Sequence, residues 1–117
     1  MDYKKTLILA ILVLSIFSFT KLRFLDDHLA PGEELEMFTS FVNRGTSDVE
    51  NVRVIAFLPD LGDFVKTSNF DVNNGDNYGN MMWWDVPQDA PKGEYLVRIS
   101  AGNEDHKVRK FRYITVE

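Results

Sequence analysis

The chain of 117 residues has no cysteine. That excludes disulfides, thiolate zinc sites, thiol nucleophiles and a lipidated N-terminal Cys in one step, and leaves the hydrophobic core to hold the domain together. Histidine is nearly as scarce, at two residues, and no serine stands in a G-x-S-x-G context. A catalytic inventory is missing, and the expectation is a protein that is not an enzyme and uses no cofactor. Positive charge is also short: the net charge is −5, which gives no electrostatic footprint for nucleic acid. After residue 20 no stretch repeats with a helical period.

What is present favours strands. The composition is 44% hydrophobic and 26% charged, within the range of globular chains. Nine Phe, four Tyr and two Trp suit a β-rich core filled by large flat side chains. A chain of this length is one domain at most, plus whatever its ends carry.

Residues 1–20 read as a leader. Lys4 and Lys5 precede Leu7 to Phe19, an uncharged and largely apolar run, the pattern of an export signal. As a helix those 13 residues span roughly 20 Å, against a hydrocarbon core of about 30 Å. The run is short for an anchor, yet it has no A-x-A cleavage site, with Ile16 and Ser18 offering the nearest approach. Three readings stand: a cleaved signal, an uncleaved membrane anchor through residues 6–20, or a buried structural helix. The first two place residues 21–117 outside the cytoplasm, secreted or held at the cell surface.

From Leu22 the chain reads as strands and turns. Leu22–Leu25 is a short first strand, and Ala30-Pro31-Gly32-Glu33 is in turn-forming order. Leu35, Met37, Thr39 and Phe41 then alternate up to the polar turn Asn43-Arg44-Gly45-Thr46, which leaves Phe38 and Val42 facing away from the core. Val52, Val54, Ala56 and Leu58 occupy every second position of the next strand, which Pro59 ends, and Ile55 and Phe57 point outward. Asn74-Gly75 is a strong hairpin signal inside the least periodic segment. Met82, Trp84 and Val86 share one face of a further strand and Met81 and Trp83 the other. Pro87 to Gly93 turns a corner into Tyr95, Val97, Ile99 and Ala101, and Val108–Val116 closes the chain. Six or seven strands with frequent turns predict an all-β sandwich.

Pro31-Gly32-Glu33, the strand into Asn43-x-Gly45, Val52-x-Val54 and Pro87-x-Asp89-Ala90-Pro91-x-Gly93-x-Tyr95-x-Val97 resemble the CARDB-type immunoglobulin-like domains of prokaryotic, notably archaeal, cell-surface and S-layer-associated proteins. The resemblance covers about residues 22–117. It implies an immunoglobulin-like Greek-key sandwich of about seven strands, used without catalysis for adhesion, spacing or assembly at the envelope. The single copy and the Trp83-Trp84 pair depart from the usual pattern. Tyr95 takes the place of a tyrosine corner, a structural role.

Other chemistry is weakly signalled. His28 follows Asp26-Asp27 and His106 follows Glu104-Asp105, so a carboxylate and imidazole metal site would form if the first strand met the last hairpin. Asp71–Asn80 is rich in oxygen ligands, but Gly75 falls where a calcium loop of the EF-hand type wants Asp or Asn. No metal is therefore assigned. Arg98, Lys107, Arg109, Lys110 and Arg112 form a candidate basic patch, suited to acidic glycans, headgroups or an acidic neighbour, or to guarding an exposed strand.

The outward apolar residues Phe38, Ile55 and Phe57, expected on adjacent strands, together with Met81 and Trp83, are the candidate interaction surface. They predict an envelope-exposed module that binds an envelope or surface-layer protein or a second copy of itself. The alternative is a carbohydrate-binding module in which Trp83 or Trp84 stacks on a glycan.

Overall fold

The computed structural model describes residues 17–117. The leader up to residue 16, and the N-terminal helix expected there, lie outside the described residues. Among the described residues no helix is long and apolar enough to cross a membrane.

The described residues form strands β1 (Phe17–Phe24), β2 (His28–Leu29), β3 (Glu34–Asn43), β4 (Val49–Leu58), β5 (Asp63–Lys66), β6 (Phe70–Val72), β7 (Asn77–Asp85), β8 (Gly93–Gly102) and β9 (Lys107–Val116). They make two sheets, one in the order β1-β3-β7 and one in the order β2-β9-β8-β4-β5, with β6 paired to β4. The pairings are antiparallel except that β2 runs parallel to the end of β9. This is a Greek-key sandwich of immunoglobulin-like type.

Period-two alternation builds its core. Leu35, Met37 and Phe41 of one sheet meet Val52, Val54, Ala56, Val97 and Ile99 of the other, all fully buried. Tyr95 is buried and its hydroxyl donates to the Pro91 carbonyl, as a tyrosine corner does. Gly32 follows Pro31 at a φ of 86°, the backbone that the third position of a type II turn needs. A Cβ there would also meet the Gln88 side chain at 2.2 Å.

Several expectations change. Phe17–Thr20, counted with the leader, belong to β1: Phe17 is buried and stacks on Phe41 at 5.7 Å, and Phe19 lies 4.8 Å from the same ring. Val42 keeps the outward parity of β3 and lies outside the core cluster, yet it is buried. The Asn74-Gly75 turn does not close a hairpin, because β6 pairs with β4 and β7 with β3. The Asn43–Thr46 turn likewise sends β3 and β4 into opposite sheets.

One residue explains both crossovers. Asn43 is fully buried, and its side-chain amide donates to the carbonyls of Ser47 and Val72 at 2.9 and 3.0 Å. Its Oδ1 accepts from Gly45 N, and its backbone exchanges hydrogen bonds with Gly75 and Asp76. The two corners are tied to one polar side chain in the interior, where each such bond is costly to lose.

Candidate functional site

The outer face of the six-stranded sheet carries the largest exposed aromatic group. Ala56 and Leu58 point inward, so Phe57 points out; Val97 and Ile99 point inward, so Arg98 points out. The register sets Phe64 opposite Phe57, Phe57 opposite Arg98, and Arg98 opposite Phe111. A single row of side chains therefore crosses β5, β4, β8 and β9. Phe64 and Phe111 are each 53% exposed, and Tyr113, paired with Leu96, is 59% exposed. The Arg98 guanidinium lies 5.1 Å from the centroid of the Phe57 ring, a cation–π contact. Its Nε is shielded from solvent and has no hydrogen-bond partner. Ile55 stands in the neighbouring row, between Lys66 and Ser100.

The basic patch divides. Lys107 and Arg109 share the outward parity of Phe111 and lie on the face with Arg98. Lys110 and Arg112 sit opposite buried Ile99 and Val97, so they leave β9 on its other side. There Lys110 Nζ lies 5.8 Å from the Phe19 ring, across the seam to β1. Strand alternation is the reason: consecutive basic residues cannot share a face. At the far end of the same face, an open groove of about 910 Å³ is lined by Glu50, Arg53, Asn103, His106 and Arg109, a mixture of signs.

The remaining candidates gather on the three-stranded sheet. Because β3 and β4 lie in different sheets, Phe38 is separated from Ile55 and Phe57 and sits opposite Met81 instead. Trp83 is in the next row, opposite Glu36, whose carbonyl accepts from Leu25 N. Trp83 is 50% exposed, Met81 37% and Leu25 66%. Lys21 Nζ reaches to 5.9 Å from the Phe38 ring. Trp84 points the other way, is buried, and donates from Nε1 to Asp63 Oδ2 at 2.8 Å, joining the two sheets. It has no face free for a sugar. Along β7, a cleft of about 410 Å³ is lined by Asn80–Trp83 and by the segment Val65–Phe70, and at its end Tyr78 stacks on Phe70 at 4.1 Å.

The two histidines do not meet. His28 pairs with Thr115 near the end of β9, whereas His106 immediately precedes its first residue. Ten residues of strand, at about 3.3 Å each, part them. His28 Nδ1 contacts Glu117 Oε1 at 2.8 Å, with Asp27 at 3.7 Å. The hydrogen bond to Glu117, with the charges of Asp27, Glu117 and Asp26, raises the His28 pKa above its ordinary value. Among the described residues no three His, Cys, Asp or Glu side chains group as a metal site would require.

Phe64, Phe111, Tyr113 and Leu25 were not among the residues expected at an interaction surface. For β9 the signal was present: inward Ile114 and Val116 fix the parity that turns Phe111 and Tyr113 outward.

No protein-family model and no curated protein sequence matches the chain. Solved structures share its fold. The CARDB domain of a Pyrococcus furiosus protein, in a crystal structure with di-metal ions, superposes with a TM-score of 0.61 at 14% identity, over 86% of this chain and 85% of that one. A Niemann-Pick type C2 protein from the Japanese carpenter ant gives 0.65 at 12% identity, over 87% and 93%. The alkylpurine DNA glycosylase AlkC of Pseudomonas fluorescens, bound to DNA containing an abasic site analog, gives 0.72 at 9% identity. That match takes in 88% of this chain but 31% of the glycosylase, so the chain spans about a third of its length. At such identities the likeness is one of fold, here a CARDB-like sandwich.

Proposed function

We propose that this chain is a non-catalytic immunoglobulin-like module exposed at the cell envelope. It binds an envelope or surface-layer protein through the outer face of its six-stranded sheet. The observation that carries the reading is the in-register row Phe64, Phe57, Arg98, Phe111, bordered by Tyr113. Aromatic residues and arginine are the side chains most enriched at binding hot spots, and here they form one band on a rigid sheet. Lys107 and Arg109 on the same face favour an acidic partner. Lys4 and Lys5 and the apolar run Leu7–Ile16 ahead of β1 support placing the sandwich outside the cytoplasm, secreted or anchored.

The test uses the full chain with a C-terminal tag in its own host. Fractionation is expected to recover it with the envelope or the medium, and a soluble cytoplasmic product would sink the proposal. A photo-crosslinking residue at position 111 is expected to trap one defined envelope protein, and the same residue at position 23, on the outer face of the other sheet, is expected to trap none.

A second reading keeps one specific support. Trp83 is half exposed at the rim of the cleft, beside Asn69 and Asn80, an arrangement suited to stacking on a sugar ring with amides at its edge. Glycan-array binding lost in Trp83→Ala would favour it. Binding unchanged in that variant would remove it.

A further inference from the structure

The sandwich has three long strand edges, and they are not equally defended. β9 pairs with β2 only at Thr115 and Val116; the rest of that edge carries Lys107, Arg109, Lys110 and Arg112. β1 is broken by a register shift between Phe19 and Lys21 and carries Lys21 and Arg23. Basic residues and bulges are the usual means of keeping an edge from pairing with another chain. β7 has neither. Among the described residues its nine positions pair with β3 alone, in unbroken register, and Asp85 is its single charge.

The backbone of β7 is also accessible on that side. Val86 N donates to Glu33 O and Asp76 O accepts from Asn43 N, so the even-numbered positions direct their backbone groups at β3. Antiparallel pairing alternates, which leaves Asn77, Gly79, Met81, Trp83 and Asp85 with N–H and C=O facing the open side. On that side a cleft of about 410 Å³ runs along Asn80–Trp83, while at the start of the strand Tyr78 stacks on Phe70 at 4.1 Å.

We infer that β7 is a homotypic pairing edge, at which a second copy of this chain adds its own β7 antiparallel about a two-fold axis through Met81. That register uses all five open residues: Asn77 meets Asp85 of the second copy, Gly79 meets Trp83, and Met81 meets Met81. It is self-complementary in shape, as a two-fold contact must be. Gly79 has no side chain, and the Phe38 ring of the same copy takes its place, so each copy presents an aromatic ring where the other brings an indole. The Phe38 ring lies 3.1 Å from where a Gly79 Cβ would stand, ready to pack against that indole. It is also self-complementary in charge, because Asp85 falls opposite neutral Asn77, whereas two copies of β9 would set cation against cation. The result is a continuous six-stranded sheet with Phe38, Met81 and Trp83 of both copies in one apolar strip. This contact leaves the outer face of the other sheet, with Phe57 and Phe111, free and does not depend on the function proposed for it.

The absence of cysteine makes the test clean. In the full chain in mild detergent, Met81→Cys places two thiols in a hydrogen-bonded pair about 5.5 Å apart at Cα, within disulfide reach. Mild oxidation is expected to convert most of that variant to a linked dimer. Differently tagged Asn77→Cys and Asp85→Cys chains are expected to link to each other and not to themselves. Met81→Lys, with far-UV circular dichroism unchanged, is expected to weaken dimerisation at least tenfold by analytical ultracentrifugation. A Met81→Cys chain that links no faster than Leu25→Cys, or a dimer unaffected by Met81→Lys, would overturn the inference. So would a parent chain that stays monomeric at all concentrations.

Discussion

The two outer faces of the sandwich are built by the same alternation and come out differently. On the six-stranded sheet, Phe64, Phe57 and Phe111 line up across four strands with a cation set among them. On the three-stranded sheet, Phe38, Met81 and Trp83 lie beside Glu36 and Arg23, so apolar and charged side chains interrupt one another. Width accounts for the contrast. A row needs several adjacent strands before side chains of one kind can form a band. The wide sheet offers a face, whereas the narrow sheet ends at β7 and offers an edge.

That division rests on the corners, and the largest expected effect comes from removing one. Asn43→Ala strands the Ser47 and Val72 carbonyls in the interior, and the expected loss is about 3 kcal/mol in urea unfolding. A loss below about 1 kcal/mol would mean that the crossovers hold without the amide. Next is the tryptophan pair. Trp84→Phe removes the hydrogen bond to Asp63 that joins the sheets and should cost about 1–3 kcal/mol, while Trp83→Phe on the open face should stay within about 0.5 kcal/mol. Equal effects would contradict the opposite orientations of the two rings.

The smallest expected effect concerns β2, which borders the wide sheet. His28 has its folded pKa raised by Glu117, so the pair's contribution is fully present below the unfolded value and fades as pH rises through the folded one. The group is fully exposed, and stability should change little. Nuclear magnetic resonance titration should show the His28 pKa falling toward its ordinary value in Glu117→Gln. No fall would mean that Asp26 and Asp27 set it instead.

Alternation made the facing of most strands legible before any coordinates. Val52 to Leu58 and Tyr95 to Ala101 point as their spacing predicts, and Trp84 and Trp83 part as neighbours in a strand must. Sheet membership was not legible. A polar turn with glycine looks the same whether it returns the chain to its own sheet or carries it across, and Asn43 decides between them through Val72, far along the chain. The interaction surface was misassembled for the same reason, with Phe38 grouped with Ile55 and Phe57. The outward facing of Phe64 is not legible because its strand has four residues, too few to show a period. Phe17 and Phe19 alternate with Ser18 and Thr20, a strand period masked by the apolar run in which it sits.

The bonds at Asn43 also carry a consequence for time. Val72 is 29 positions away, Asn103 bonds the Glu50 carbonyl across 53, and His28 meets Glu117 across 89. Sandwiches dominated by such distant pairings fold in milliseconds to seconds rather than microseconds. An amide that needs both its own turn and the distant end of β6 in place is expected to be satisfied after the slow step. Its loss should therefore hasten unfolding and leave the folding rate nearly untouched, making Asn43 a latch on the finished domain rather than a seed for its assembly.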